Sequence, residues 1–176
     1  MPRPTRLHFQ NLLCEGRHLR VEKCTERSSE GENKLTPVLI LVIDDDLDTH
    51  EILRVRLSCL GFAVLGTDSG AQGLILIEYH ASIGCPIDGV LLNLHMPGHD
   101  SLHMPGHDGM AVLEQMREHH PKIPVIMMSS LPNGGHLERA LCGGARDYIM
   151  KPFDNESLFE KCLRHFPTPS GRPGDL

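Results

Sequence analysis

Runs of apolar residues alternate along the chain with stretches in which apolar side chains recur at helical spacing. The run VLILVI at 38–43 is apolar throughout, which is typical of a strand buried on both faces of a sheet. By the same criteria we expect strands at 38–43, 62–67, 87–92, 123–128 and 146–150. We expect helices at 46–60, 69–80 (with Ser69 as the N-cap), 109–119, 137–142 and 155–165.

Strict alternation of strands and helices predicts the fold class and the domain organisation. Such alternation is typical of an α/β protein with a doubly wound, five-stranded parallel sheet flanked by five helices. The predicted domain covers 37–166. Residues 1–36 alternate charges and end in SSEGEN, which indicates a flexible leader, and 167–176 read as a tail.

Composition narrows the function classes without naming one. The chain has 176 residues, and the predicted domain carries 9 Lys+Arg and 17 Asp+Glu, a net charge of −8 that argues against nucleic-acid binding. Its apolar runs are too short to span a membrane. The N-terminal residues include no apolar stretch of signal-peptide length, so we expect a cytoplasmic protein. The six cysteines form no CxxC pair, so we expect reduced thiols.

Polar side chains follow the predicted strands at the edge where function is expected in such folds. The first strand ends on Asp44-Asp45-Asp46, the third on Asn93, the fourth on Ser129-Ser130, and the fifth on Lys151-Pro152. Paired carboxylates suit Mg²⁺, and a lysine with a hydroxyl suits a phosphoryl group. For the aspartates alone, a solvated helix start is the simpler interpretation.

These segments resemble the receiver domain of bacterial response regulators over about residues 37–166. The matching pieces are VLILVIDDD, the duplicated VLLNLHMPGHDG, PVIMMSS and GARDYIMKPF. The resemblance implies a flavodoxin-like, CheY-like fold, in which a histidine kinase passes a phosphoryl group to an aspartate at the end of the third strand while Mg²⁺ is bound.

The resemblance also assigns roles to individual residues. Three metal contacts are implied: the carboxylates of Asp44 and Asp45, and the backbone carbonyl of His95. The implied phosphoryl and switch residues are Ser129, which binds the phosphoryl group, Tyr148, the aromatic that turns inward, and Lys151, which binds phosphate. A cis peptide bond is expected before Pro152.

The chain departs from the family at the phosphoacceptor, where Asn93 replaces aspartate. An amide is a poor phosphoryl acceptor, and losing one negative charge should weaken Mg²⁺ binding. Three explanations stay open: a natural pseudo-receiver, a laboratory Asp→Asn variant, or another acceptor. Asp100 is the candidate acceptor, although Ser101 and not Asp100 stands eight residues after Asn93.

The loop after Asn93 is written twice, as LHMPGHDS and then LHMPGHDG. Eight extra loop residues cost roughly 1 kcal/mol or less in closure entropy, so the fold should tolerate them. The repeat places histidines at 95, 99, 103 and 107. A metal-binding protein that uses this histidine-rich 94–108 loop for Zn²⁺ or Ni²⁺ is therefore an alternative.

The favoured interpretation is a single-domain response regulator in a two-component phosphorelay, impaired in phosphorylation by Asn93. On this interpretation we expect a signalling protein and not an enzyme. Its expected partners are a sensor histidine kinase or phosphotransfer protein and a downstream target protein, with no nucleic acid or membrane and a possible homodimer. A Mg²⁺-dependent phosphohydrolase is the other alternative, although the acidic residues do not form a D-x-D-x-T/V motif.

Overall fold

A computed structural model describes residues 37–96, 109–130 and 134–169. Its strands are β1 (Leu39–Ile43), β2 (Ala63–Thr67), β3 (Gly89–Asn93), β4 (Val125–Ser129) and β5 (Asp147–Met150). Its helices are α1 (Leu47–Ser58), α2 (Gly70–Ser82), α3 (Gly109–His119), α4 (Gly134–Cys142) and α5 (Asn155–His165). The predicted alternation is confirmed, with boundaries that move by one to three residues at most elements.

All five strands run parallel in one sheet, in the order β2-β1-β3-β4-β5. The chain winds outward from β1 to β2, then crosses back to β3 and continues to β5. The predicted doubly wound fold is thereby confirmed. The direction of winding reverses between β1 and β3, and the carboxyl ends of these two strands flank the crevice where such sheets place their sites.

Two apolar layers sandwich the sheet and explain the uninterrupted apolar strands. Leu41 and Ile43 pack in one layer with side chains of α2, α3 and α4. Ile40 and Val42 pack in the other with side chains of α1 and α5. Because neighbouring residues of a strand point to opposite faces, burial on both faces requires every position to be apolar.

One local prediction is confirmed in position, and another differs from the structure. Ser69 stands at the N-cap of α2, but its side chain makes no capping hydrogen bond. The hydroxyl of Thr67 instead accepts from the Ser69 backbone N–H at 3.3 Å. Helix α4 begins at Gly134, three residues before the predicted start. The prediction excluded Gly134 and Gly135 because glycine has a low helix propensity, but both glycines are part of the helix.

Among the described residues, three cysteines follow the prediction of reduced thiols and one departs from it. Cys59, Cys142 and Cys162 are free thiols, and burial raises the pKa of Cys162 to about 12. The prediction of reduced thiols is wrong for Cys85, which is disulfide-bonded. Pairing depends on which cysteines the fold brings within about 7 Å, and spacing along the chain does not reveal this.

Other expectations fall on residues that the structure does not describe. These are the leader 1–36, residues 170–176, Asp100 and the histidines at 99, 103 and 107. Within the described ranges, no helix is both long enough and apolar enough to cross a membrane.

An ionic cluster on Asp147 ties β5 to α5. Its two carboxylate oxygens accept from Lys161 Nζ at 2.6 Å and from His165 Nε2 at 2.9 Å. Burial by itself would raise the pKa of Asp147, but hydrogen bonds from Lys161, the Tyr148 backbone and His165 outweigh it and lower that pKa. The carboxylate therefore stabilises the folded state in its charged form.

We expect Asp147→Asn to lower the free energy of unfolding by about 1–3 kcal/mol at neutral pH, because it removes charge-assisted hydrogen bonds. A lowered folded-state pKa contributes stability above the unfolded pKa of about 4, and that contribution is lost as the pH falls through the folded value. In urea titrations the deficit should therefore shrink below about pH 4. Glu118→Gln, at an exposed position of α3, serves as the control, and a deficit that does not change with pH would contradict the assignment.

Candidate functional site

Two consecutive aspartates at the end of β1 form the floor of the site. The Asp44 backbone N–H donates to Thr67 O at 3.0 Å, which extends the pairing with β2 by one residue. The Asp44 side chain is completely buried, whereas Asp45 is half-buried. A buried carboxylate needs hydrogen-bond donors or an opposite charge.

The third aspartate of the run has a different role. Asp46 is the N-cap of α1, and its carboxylate accepts from Asp48 N at 3.0 Å and from the Thr49 hydroxyl at 2.9 Å. The Thr49 hydrogen bond, opposed by partial desolvation and assisted by the Asp48 N–H, lowers the pKa of Asp46. The helix-start interpretation is therefore correct for Asp46.

Lys151 supplies the opposite charge for Asp44. Its Nζ lies 2.5 Å from Asp44 Oδ2, and its side chain is only 16% exposed. The Lys151 backbone N–H donates to Ser129 O at 2.7 Å, which holds the chain after β5 beside the end of β4. The Lys151-Pro152 peptide bond is cis, as expected from the sequence.

Asn93 lies at the centre of the polar groups, as the last residue of β3. Its Nδ2 is 2.8 Å from Asp45 Oδ1, 2.8 Å from the His95 carbonyl oxygen and 3.2 Å from Asp44 Oδ1. The side chain is 7% exposed. Asn93 therefore connects the three groups that the sequence analysis assigned to a metal.

Ser129 and His95 form the side of the site nearest the β4 end. The buried Ser129 hydroxyl lies 3.5 Å from His95 Nδ1, at the long limit of a hydrogen bond, while the His95 side chain is exposed. Tyr148 is half-buried and packs against the apolar layer on the α2–α4 side. The predicted residues 44, 45, 93, 95, 129 and 151 thus lie together, and Tyr148 lies on the neighbouring strand β5.

The oxygens present would suit Mg²⁺, but their arrangement does not. The carboxylates of Asp44 and Asp45 and the His95 carbonyl are hard oxygen donors of the kind that Mg²⁺ prefers. All three point to Asn93 Nδ2, a hydrogen-bond donor that offers a cation no lone pair. The residues as arranged therefore do not fit the cation.

Gly109, which the sequence analysis did not single out, returns the chain to the site after the duplicated loop. Its backbone N–H donates to Leu94 O at 3.2 Å. A Cβ at this position would lie 2.2 Å from Asn93 O, a distance that no side chain tolerates. The sequence marks this position in one way: the second copy, LHMPGHDG, ends in glycine, where the first copy, LHMPGHDS, ends in serine.

Comparison with known proteins identifies the family. The family model described as the response regulator receiver domain matches residues 40–163. The chain belongs to this family. The predicted resemblance is therefore confirmed, and the receiver family as a whole works in two-component signalling.

Curated relatives match the receiver and are longer than it. The transcriptional regulator NtrC of Escherichia coli is 30% identical over 131 residues, which cover 73% of this chain and 25% of NtrC. The response regulator MprA of a Mycobacterium species is 32% identical over 125 residues, which cover 71% of this chain and 49% of MprA. The chain thus spans a quarter to a half of the length of these relatives.

Solved structures agree with the fold. The receiver domain of NtrX from Brucella abortus is 30% identical, with a TM-score of 0.61 over 71% of this chain and 95% of its own. A CheY-like receiver from Methanospirillum hungatei gives a TM-score of 0.62 at 24% identity, over 73% of this chain and 93% of its own, which supports the fold alone.

We expect Lys151→Met to lower the free energy of unfolding by about 3–5 kcal/mol, because it leaves the buried Asp44 carboxylate without its counter-charge. Adding Asp44→Asn to this variant should recover part of the loss. Urea unfolding of the single and double variants measures both effects, with the exposed Lys122→Met as control. A double variant less stable than either single variant would contradict the pairing.

We expect Gly109→Ala to destabilise the receiver by about 1–3 kcal/mol or more, because the added methyl group meets the Asn93 and Leu94 backbone. Gly135→Ala is the matched control, since a Cβ there meets nothing within 4 Å and alanine favours a helix. Thermal unfolding compares the two. Equal midpoints would show that the α3 start is free to move away from β3.

Proposed function

We propose that this chain is a receiver module of two-component signalling that does not accept a phosphoryl group at position 93. Family membership supports the signalling role. The finer proposal is supported by the Asn93 carboxamide, which contacts Asp44, Asp45 and the His95 carbonyl at the end of β3, where the resemblance implies the phosphoacceptor.

The chemistry of an amide explains why transfer at position 93 fails. In transfer from a small donor such as acetyl phosphate, a carboxylate oxygen bonds to phosphorus while the bond from phosphorus to the acetate oxygen breaks. Acetate then leaves with the electron pair. The Asn93 amide carries no negative charge to form that bond, and its nitrogen lone pair is delocalised into the carbonyl group. Lys151 and Ser129 remain in place to bind an anion but have no acyl phosphate to stabilise.

Signal output therefore comes through protein contacts that do not require phosphorylation. A sensor histidine kinase or a phosphotransfer protein is the proposed upstream partner, and a target protein is the downstream partner. One solved relative, from Borrelia burgdorferi, is a complex of CheY with CheX, BeF₃ and Mg²⁺. Action as a single-domain regulator, a cytoplasmic location, the absence of nucleic-acid and membrane partners, weakened Mg²⁺ binding and a possible homodimer remain predictions.

Neither alternative from the sequence gains support. The receiver family is a signalling family, and no contact of the described residues favours the phosphohydrolase. Of the histidine-rich 94–108 loop, only residues 94–96 are described. Across 37–96, 109–130 and 134–169, no three His, Cys, Asp or Glu side chains are grouped to hold a metal.

We expect incubation with acetyl phosphate and Mg²⁺ to leave the intact mass of the protein unchanged, because no carboxylate stands at position 93. Asn93→Asp should gain the mass of one phosphoryl group, since Asp44, Asp45, Ser129 and Lys151 remain in place. Intact-protein mass spectrometry measures both.

The controls separate the remaining explanations. If the unchanged protein gains a phosphoryl group, the proposal is wrong, and Asp100→Asn then decides whether that residue is the acceptor. If Asn93→Asp also gains nothing, the site is not a receiver site that lacks only its acceptor. Hydrolysis of a generic phosphate ester by the unchanged protein would favour the phosphohydrolase.

A further inference from the structure

The Asn93 amide group can face only one way in its surroundings. Its three neighbours, Asp44 Oδ1, Asp45 Oδ1 and the His95 carbonyl oxygen, all carry lone pairs and no hydrogen. The reverse orientation would bring the amide oxygen against three acceptors. The chemistry of these neighbours therefore fixes the NH₂ group toward them.

The Asn93 NH₂ group has as many hydrogens as it has short contacts. An NH₂ group has two hydrogens, and two contacts are short, at 2.8 Å to Asp45 and 2.8 Å to His95. The third, to Asp44 Oδ1, is longer at 3.2 Å, and that oxygen also accepts from Asp46 N at 3.1 Å. Asp44 Oδ2 is paired with Lys151. The buried carboxylate is therefore satisfied by the protein alone.

The net charge of the site also reduces its need for a cation. With aspartate at position 93, three carboxylates would face one lysine, a net charge of −2. With asparagine, Asp44 is paired with Lys151 and only the half-buried Asp45 is left over, a net charge of −1. The repulsion that a divalent cation relieves among adjacent carboxylates is correspondingly smaller.

We propose that the Asn93 carboxamide takes the place of the cation, as an internal bridge that holds the β1 and β3 ends together and makes the site independent of divalent metal. To admit Mg²⁺ among these oxygens, the amide must turn away and give up its two short hydrogen bonds and the longer contact to Asp44. The receiver therefore keeps one conformation whether or not Mg²⁺ is present. This inference rests on the geometry around Asn93 and stands apart from the proposed function.

Thermal unfolding in EDTA and in millimolar MgCl₂ tests the bridge. We expect the unchanged protein to unfold at the same temperature in both. Asn93→Asp should unfold at a lower temperature in EDTA, because it loses the donor and adds a repelling charge. Its midpoint should rise in MgCl₂ as the cation binds the folded state.

Asn155→Asp is the matched control. It adds the same charge at an exposed position, the first residue of α5, where the helix N-terminus tolerates an acid. Its midpoint should not depend on Mg²⁺. Stabilisation of the unchanged protein by Mg²⁺ to the same extent as Asn93→Asp would overturn the proposal, as would an Asn93→Asp variant that is equally stable in EDTA.

A second measurement needs no variant. In a nuclear magnetic resonance titration with MgCl₂, the side-chain NH₂ signals of Asn93 should stay in place, because the amide keeps its contacts to the three oxygens. Displacement of these signals at low millimolar Mg²⁺ would overturn the bridge even if Asn93→Asp fails to fold. Neither experiment measures phosphorylation. A result that contradicts the bridge therefore leaves the proposed function untouched, and the reverse also holds.

Discussion

A fully buried carboxylate beside a largely buried lysine is the constraint on which the rest of the site depends. Asp44 is inaccessible to solvent, and a charge in that position is tolerated only with an opposite charge and donors around it. Lys151 supplies the opposite charge from the segment after β5, the edge strand of the sheet. Because the pair joins segments 107 residues apart, it fixes the rim formed by β1, β3, β4 and the segment after β5.

Within this rim, one change of functional group decides the chemistry. Aspartate and asparagine are nearly the same size, so either residue fits this position of the fold. A carboxylate only accepts hydrogen bonds, whereas a carboxamide also donates them, and three oxygens surround the Asn93 donor. In the proposed bridge, these contacts and the Asp44–Lys151 pair balance most of the charge of the site from within the protein. Under the proposed function, the chain keeps the receiver architecture without phosphoryl acceptance at position 93.

The sequence predicted the architecture well because burial on both faces of a parallel sheet leaves a strong pattern. The continuous apolar strands and the polar residue after each were sufficient to place Asp44, Asn93, Ser129 and Lys151 at one rim. Local geometry was harder to predict. The start of α4 at Gly134 runs against intrinsic propensity, and tertiary packing overrides propensity often.

Some features of the site leave no pattern in a single sequence. Replacement of Asp by Asn predicts a lost charge, but the direction in which the amide turns depends on three acceptors that only the folded chain assembles. The same applies to Asp46, where a third aspartate in a row proved to be a helix cap rather than part of the site. Likewise, the disulfide at Cys85 depends on three-dimensional proximity.

The hydrogen bond from Gly109 to Leu94 has an evolutionary consequence. The two ends of the intervening segment are fastened to each other, so its length is decoupled from the positions of β3 and α3. A tandem copy of eight residues could arise there in one replication slippage event and be inherited without compensating substitutions elsewhere. In this chain the hydrogen bond joins the first residue of LHMPGHDS to the last residue of LHMPGHDG, so both copies lie between the two anchored ends.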